Sequence, residues 1–550
     1  MASASTATPP RADTRPSSCD TDTDGDAASA SAPETRRGID VARLGRERPA
    51  ALGHPLTEAG FVFAVVSSMM LSEYFISGFN IVLPPLADAL AMPPAARTWP
   101  AAVTNLATAA LLLPGARLCD LAGGRAVFLA GHAWLLAWSV ASGFARAAPV
   151  LVVCRAMQGV GAAAFLPAGL ALLSRAYRPG PRKNLVFAVY GAFACVGFYF
   201  GIFMGAVAAE FLDWRWYFWI GAVLGLVVAA TGALTIPRRL GAVDPAARMD
   251  WPGLVTIVPG LVLVVFAFTD GGHAPDGWRT PYVYVALVLG VLFLAAAVYV
   301  QGWVSSQPLL PPALFQQKYM KRLVAALFCS YGVFGLLLFY SSFYIETVMH
   351  TPPILTAAWF TPMAVGGMFL AIGGGFILHI VPNRILMIAS CLGFLLASLL
   401  FALIPDPASG GRSTSFLYWA YIFPAMLGGT IGVDITFNVT NVFITTAMPR
   451  RHQAAASGLI NSLLYLGIAF WLGIAELAVS AAVVARGGGE GAGAGAGALE
   501  PRAQYQIGFW TGVALSALSL CLTVTVRMGQ AEAAMTADEK AELAREAHQT

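Results

Sequence analysis

The chain runs through about fourteen apolar segments, from 60–90 at the start to 506–527 at the end, separated by short polar or glycine-rich breaks. Most of them reach ~20 residues, enough for a helix to cross a hydrocarbon core of ~30 Å. Inside lipid the backbone must satisfy its own hydrogen bonds, so such segments read as helices. Composition leaves little room for another class. Of 550 residues, 57% are hydrophobic and 11% charged, where a soluble domain carries roughly a quarter charged. The fold class expected is an all-α polytopic membrane protein, with the lipid bilayer as its solvent.

An even number of spans puts both chain ends on one side, and the basic residues say which. Loops after even-numbered spans carry fifteen Lys or Arg, including Arg117, Arg125, Arg175, Arg182, Lys183, Arg238 and Arg384. The opposite loops carry seven: Arg97, Arg146, Arg215, Arg279, Arg412, Arg486 and Arg502. Both termini are therefore expected in the cytoplasm. Residues 1–57, with "DTDTDGD" and many Ala, Ser, Pro and Arg, lack the charged start and apolar core of a signal peptide and read as a disordered tail. The stretch "GGGEGAGAGAGALEP" (487–501) reads as a flexible linker. The seven cysteines include no CxxC pair, so no disulfide framework or metal site is expected.

Polar residues inside these spans are costly, and they form stripes. In "GVDITFNVTNVF" (432–443), Asp434, Asn438 and Asn441 fall at i, i+4 and i+7, one face of a helix. Glu73, Ser77 and Asn80 repeat that spacing in the first span, and Arg155 and Gln158 stand together in the fourth. An intramembrane ionisable group usually faces a bundle interior or a watery cavity, and it marks a pathway for substrate or protons. The bland alternative is a buried Asp434–Arg155 pair that only clamps two helices. His132 reads as a packing histidine. HExxH, a P-loop and GxSxG are absent, so no catalytic set is visible. The chain does not read as an enzyme, no cofactor is expected, and no nucleic-acid partner is implied.

Several motifs resemble the major facilitator superfamily. "GARLCDLAGGRAVFLAG" (115–131) is similar to its loop 2–3 pattern, with Asp120, Gly123 and Arg125 at motif positions and Ala116 and Leu121 as departures. "CRAMQGVG" (154–161) supplies Arg155, Gln158, Gly159 and Gly161 in the R-x-x-Q-G-x-G pattern. "GFYFGIFMGAV" (197–207) spaces Gly197, Gly201 and Gly205 as a doubled GxxxG, with Ile202 where drug:proton antiporters usually have proline. Such glycines allow close helix approach. "DWRWYFWI" (213–220), "YRPGPRKN" (177–184), "DWPG" (250–253) and "YIFPAMLGGTIGVDITFNVTNVF" (421–443) resemble the fourteen-span drug:proton antiporter family. Within it they look like the fungal branch of aminotriazole- and boron-resistance and low-affinity ammonium transporters.

The resemblance implies two six-helix bundles, 58–240 and 306–528, with two extra helices in 241–305 and a cytoplasmic tail over 529–550. It implies a monomer that exchanges a small molecule for protons by alternating access, in the plasma membrane or else the vacuolar membrane. An uptake facilitator or a non-transporting nutrient sensor of the same fold are the alternatives. Spans 1, 4, 9 and 12 would line the cavity. Asp434, Glu73 and Arg155 are then the proton-coupling candidates, and Asn80, Gln158, Asn438, Asn441 and Tyr340 the cavity candidates. Asp120, Gly123, Arg125, Gly159, Gly161, Gly201 and Gly205 would serve conformational change. Because residues 1–57 offer no apolar face for docking, a chain that starts near residue 50 should keep its flux. Lost flux at normal surface expression would contradict this.

Overall fold

The computed structural model describes residues 48, 49, 51–93, 96–177, 181–241, 245–272, 274, 277–317, 319–407, 413–447, 450–486 and 500–526. Most of the N-terminal tail, the C-terminal tail and the glycine-rich stretch 487–499 lie outside them. Fourteen helices among the described residues are long and apolar enough to span a membrane. They are α1 (Pro55–Ala89), α2 (Thr98–Ala122), α3 (Gly124–Gly143), α4 (Ala148–Ala176), α5 (Pro181–Phe211), α6 (Trp214–Thr235), α7 (Trp251–Asp270) and α8 (Pro281–Tyr299). The rest are α9 (Met320–Phe343), α10 (Thr361–Ile380, after a short helix Pro353–Trp359), α11 (Asn383–Ala402), α12 (Phe423–Ala447), α13 (Arg450–Ala485) and α14 (Pro501–Val524). α1 starts and α14 ends on the same side, called here the near face; the other side is the far face.

Local chemistry sets the helix ends. The aspartates of the two DW motifs are N-caps: Asp213 accepts from the Arg215 amide at 2.9 Å, and Asp250 from the Gly253 amide at 3.0 Å. Gly123 joins α2 to α3 with φ +86°, a conformation a side chain at this tight turn would resist. Asp250 is buried and also accepts from Gln301 Nε2 (2.6 Å) and the Leu309 amide (3.2 Å). That knot ties the start of α7 to the end of α8 and to the chain leading into α9.

α1 to α6 form one bundle and α9 to α14 the other. α1 crosses α5, and α2 and α3 flank α4; α11 packs on α12 and α14, and α9 on α13 and α14. The bundles meet along two seams, α2 with α13 and α5 with α10. The extra pair, α7 and α8, pack on each other, and α7 also leans on α2 and α13. The α1–α5 crossing is the tightest. A Cβ on Gly78 would sit 2.1 Å from the Gly201 carbonyl oxygen, and one on Gly205 would sit 2.6 Å from that of Gly78. Tyr74 and Tyr217 then lock α1 to α6: each hydroxyl donates to the other's carbonyl, at 2.7 and 2.6 Å, and the rings stack at 4.8 Å.

α1 begins three residues before the boundary read from composition, and the chain ahead of it is docked. Leu52 is fully buried. Arg48 Nε donates to Glu58 Oε2 at 3.0 Å, and Arg182 grips both Glu58 oxygens at 2.8 and 2.6 Å. The Tyr177 hydroxyl adds a fourth bond to Glu58 at 2.9 Å. One carboxylate therefore joins the pre-helical segment, α1, the end of α4 and the start of α5. Hydrogen bonds to charged groups contribute about 1.5–3 kcal/mol each, less where water reaches them. Glu58→Ala should lower the thermal unfolding midpoint of the purified protein by several degrees, with a smaller drop for Arg48→Ala, whose side chain is more exposed. Equal midpoints for wild type and Glu58→Ala would show that the knot adds no stability.

Candidate functional site

Two carboxylates meet where the bundles face each other. Glu73 lies near the middle of α1 and Asp434 near the middle of α12; both are half-buried. They are close enough to interact electrostatically. The Cys195 thiol of α5 donates to Asp434 Oδ1 across 3.7 Å. Asp434 also packs on α10, where a Cβ on Gly367 would come within 2.8 Å of its Oδ2. Tyr190 of α5 and Tyr465 of α13 both feel the Glu73 charge, and the Tyr465 hydroxyl lies 3.5 Å from Ser72 Oγ. Among the described residues, no basic side chain pairs with either carboxylate.

The polar stripes approach this centre from opposite directions. Asn438 and Asn441 lie on the Asp434 face of α12, half-buried and closer to the near face. Asn80 lies beyond Glu73 toward the far face; it is buried and donates to the Ile76 carbonyl at 2.8 Å. Ser77, between them, bonds the carbonyls of Glu73 and Phe198 at 2.8 and 2.7 Å. A groove of about 740 Å³ opens at the near face between α1 and α5. Its α1 residues Ala59, Val62 and Val66 fall on the helical face that carries Glu73 seven residues beyond Val66.

The far face is closed by contacts between bundles. The Tyr199 and Thr361 hydroxyls are 2.7 Å apart, and Glu210 accepts from the Ile354 amide at 2.7 Å. That carboxylate thus caps the short helix before α10, where the helix dipole favours negative charge. Phe198 packs against Phe334 with ring centroids 6.0 Å apart.

Other residues singled out in the sequence lie elsewhere. Arg155 does not meet Asp434. It is 1% exposed inside the first bundle, toward the far face. Its Nε donates to the Pro100 carbonyl at 3.2 Å, an Nη donates to Gln158 Oε1 at 3.0 Å, and the guanidinium lies 3.9 Å from the Phe79 ring centre. Gln158 passes the chain on to Ser139 Oγ at 3.0 Å. Tyr340 is buried inside the second bundle against Gly508 and Phe509 of α14. α5 and α13 therefore contribute to the centre, while Arg155 of α4 and Tyr340 of α9 turn into their own bundles. Cys195, Tyr190 and Tyr465 carried no sequence signal, because an isolated thiol or tyrosine in an apolar run looks like core.

The motif residues hold neighbouring helices. Asp120 pairs with Arg175 at 3.1 Å at the near ends of α2 and α4, and Arg125 donates to the Ala233 carbonyl of α6 at 2.8 Å. A Cβ on Gly159 would sit 2.4 Å from the Thr104 carbonyl oxygen, and one on Gly161 would sit 3.0 Å from that of Gly131. His132 bonds the Phe128 carbonyl at 2.8 Å and is fully buried.

A family model described as Major Facilitator Superfamily matches residues 62–472. The chain belongs to the Major Facilitator Superfamily. Superfamily relatives include the low affinity ammonium transporter of Saccharomyces cerevisiae, 30% identical over 87% of this chain and 90% of that protein. Another is the efflux pump terJ of Aspergillus terreus, 30% identical over 76% of this chain and 80% of the pump. Among solved structures, a peptide transporter POT aligns with a TM-score of 0.58 at 16% identity, over 88% of this chain and 98% of that one. That likeness bears on the fold alone: the superfamily architecture of two six-helix bundles, here with two helices added. The chain is an integral membrane transporter of this superfamily.

Arg155 illustrates what such a bundle needs. A lone cation at membrane depth costs at least ~2.5 kcal/mol unless it is partnered, and here a planar fork meets three partners at once. Arg155→Lys keeps the charge but not the fork, so it should lower thermal stability almost as much as Arg155→Ala, as read by unfolding in detergent. A Lys variant as stable as wild type would show that charge alone suffices.

Proposed function

We propose that this transporter exports a small molecule in exchange for protons by alternating access, with Asp434 as the proton-carrying group and Glu73 as its partner. The near face is the cytoplasmic one on this reading, with both termini inside the cell and the plasma membrane as its site. The excess of basic residues in the near-face loops supports that orientation. The low affinity ammonium transporter and the efflux pump among its relatives are compatible with small polar or drug-like cargo.

The observation that carries the proposal is the placement of two like charges on opposite sides of the seam. Ionised together in a poorly solvated centre, they repel. A proton on one, or a bound cargo between them, removes that repulsion and lets the bundles close around the site. Contacts between the bundles hold the far face while a groove opens at the near face, which fits a state ready to load from the cytoplasm. Opening to the far face then requires breaking the Tyr199–Thr361 and Glu210–Ile354 bonds. Protonation tips the balance only through its different free energy in the two states.

Asp434→Asn keeps the shape and much of the hydrogen bonding but cannot titrate. In inside-out vesicles it should still bind cargo, yet lose the acceleration of uptake that an imposed pH gradient gives wild type. A response to the gradient equal to wild type would reduce Asp434 to a structural role and move the proton site to Glu73.

A further inference from the structure

We propose that the near-face groove between α1 and α5 is a binding site for an anionic phospholipid, with the phosphate on Arg48 and Arg182 and an acyl chain along the wall below them. This goes beyond the transport reading and does not depend on it. The groove changes character with depth. Its mouth carries Arg48, Arg182, Glu58 and Tyr177; its wall includes Val62, Phe63 and Val66 of α1 and Leu185, Val189 and Phe193 of α5. At 1.5 Å per residue, the charged end lies ~12 Å from Val66 along α1 and ~16 Å from Phe193 along α5. Charge at the helix ends and hydrocarbon further in is the polarity order of a lipid, and it runs in the same direction on both helices.

The mouth also has the right sign. Arg48, Arg182 and the adjacent Lys183 outnumber the one carboxylate among them, Glu58. That carboxylate sets the two guanidiniums side by side, because both reach its Oε2: Arg48 through Nε at 3.0 Å, and Arg182 at 2.6 Å. The bond to Glu58 takes one of the five N–H donors of Arg48, whose side chain is 37% exposed. Guanidinium groups match phosphate oxygens in two-point bonds, and side chains ordered beforehand lose less freedom on binding. Basic pockets between helices collect anionic headgroups in this way. A zwitterionic lipid would leave the positive excess unanswered. Further in, Phe63 and Leu185 are 44% and 64% exposed, apolar surface that a chain removes from water. The volume of about 740 Å³ leaves room for that chain. A free phosphate would use the mouth and leave the wall bare.

The test is native mass spectrometry of the full chain in a mild detergent, titrated with dioleoylphosphatidylserine. One copy should bind at least tenfold more tightly than dioleoylphosphatidylcholine. The Arg48→Gln/Lys183→Gln double variant keeps the Glu58–Arg182 pair and should lose that preference. Glycerophosphoserine, the head without its chains, should not displace the lipid at hundredfold excess. Equal affinity for the two lipids, or an unchanged preference in the double variant, would mean annular binding only and overturn the site. Displacement by glycerophosphoserine would overturn the role of the wall. If the double variant does not fold, Val62→Trp decides, since it fills the groove and leaves every charge in place. Serine-lipid binding at least tenfold weaker is expected there, and binding equal to wild type would overturn the proposal. The assay uses neither cargo nor a pH gradient, so its outcome is separate from that of the export experiment.

Discussion

The close crossing of α1 and α5 is the contact on which the rest depends. At Gly78, Gly201 and Gly205 the two backbones approach so nearly that a methyl group would strike a carbonyl. Where both partners are apolar, lipid offers little hydrophobic drive for helix pairing, so packing of small residues supplies much of the attraction. The crossing has a consequence for chemistry. It fixes Glu73 on one helix beside Tyr190 and Cys195 on the next, so the first bundle presents its half of the centre as one rigid surface. The Tyr74–Tyr217 exchange of hydrogen bonds extends that rigidity to α6. A surface tied together in this way fits the proposed alternating access, in which each bundle acts as one body.

The fold was largely legible in the sequence, and the reasons are physical. Span number follows from hydrophobic length, and membrane depth leaves a helix as the only local solution. The doubled GxxxG of α5 named a close contact in advance, and the DW motifs turned out to be N-caps. The superfamily resemblance rested on loop 2–3 and α4, where Gly123 takes a positive φ and Gly159 and Gly161 meet neighbouring helices at close range. The N-terminal boundary was less legible. Arg48 and Leu52 lie in a segment whose composition resembles a disordered tail, yet they dock because Glu58 and the ends of α4 and α5 offer partners that only the folded bundle creates.

The site was legible in part. Asp434 and Glu73 stood out because carboxylates in apolar runs are rare, and helical spacing put Asn438 and Asn441 on the Asp434 face. Spacing within one helix does not say which helices come together. The bland alternative paired Asp434 with Arg155, but Arg155 is held by Pro100, Gln158 and Phe79 within its own bundle. Tyr340 likewise faces α14. Cys195, Tyr190 and Tyr465 became visible only once the seam brought α5 and α13 beside the carboxylates. Three-dimensional neighbours of this kind leave no trace in the periodicity of any single span.

The charged groups of this protein separate by whether their partners travel with them. Arg155 has all its partners, Pro100, Gln158 and Phe79, inside the first bundle, so its surroundings do not depend on how the two bundles are placed. Asp120 with Arg175 and Glu58 with Arg182 also lie within that bundle. Glu73 and Asp434 differ because each finds the other only across the seam, and so does the Cys195–Asp434 contact. A group whose surroundings depend on the relative position of two rigid bodies has a protonation energy that depends on it too, and by linkage its protonation biases that position. Glu210, bonded to the Ile354 amide across the far seam, shares the geometry but not the depth: it is exposed, so water can replace what it loses on opening. The contrast supports the proposal that Glu73 and Asp434 are the working charges, while the other ion pairs hold helices within one bundle.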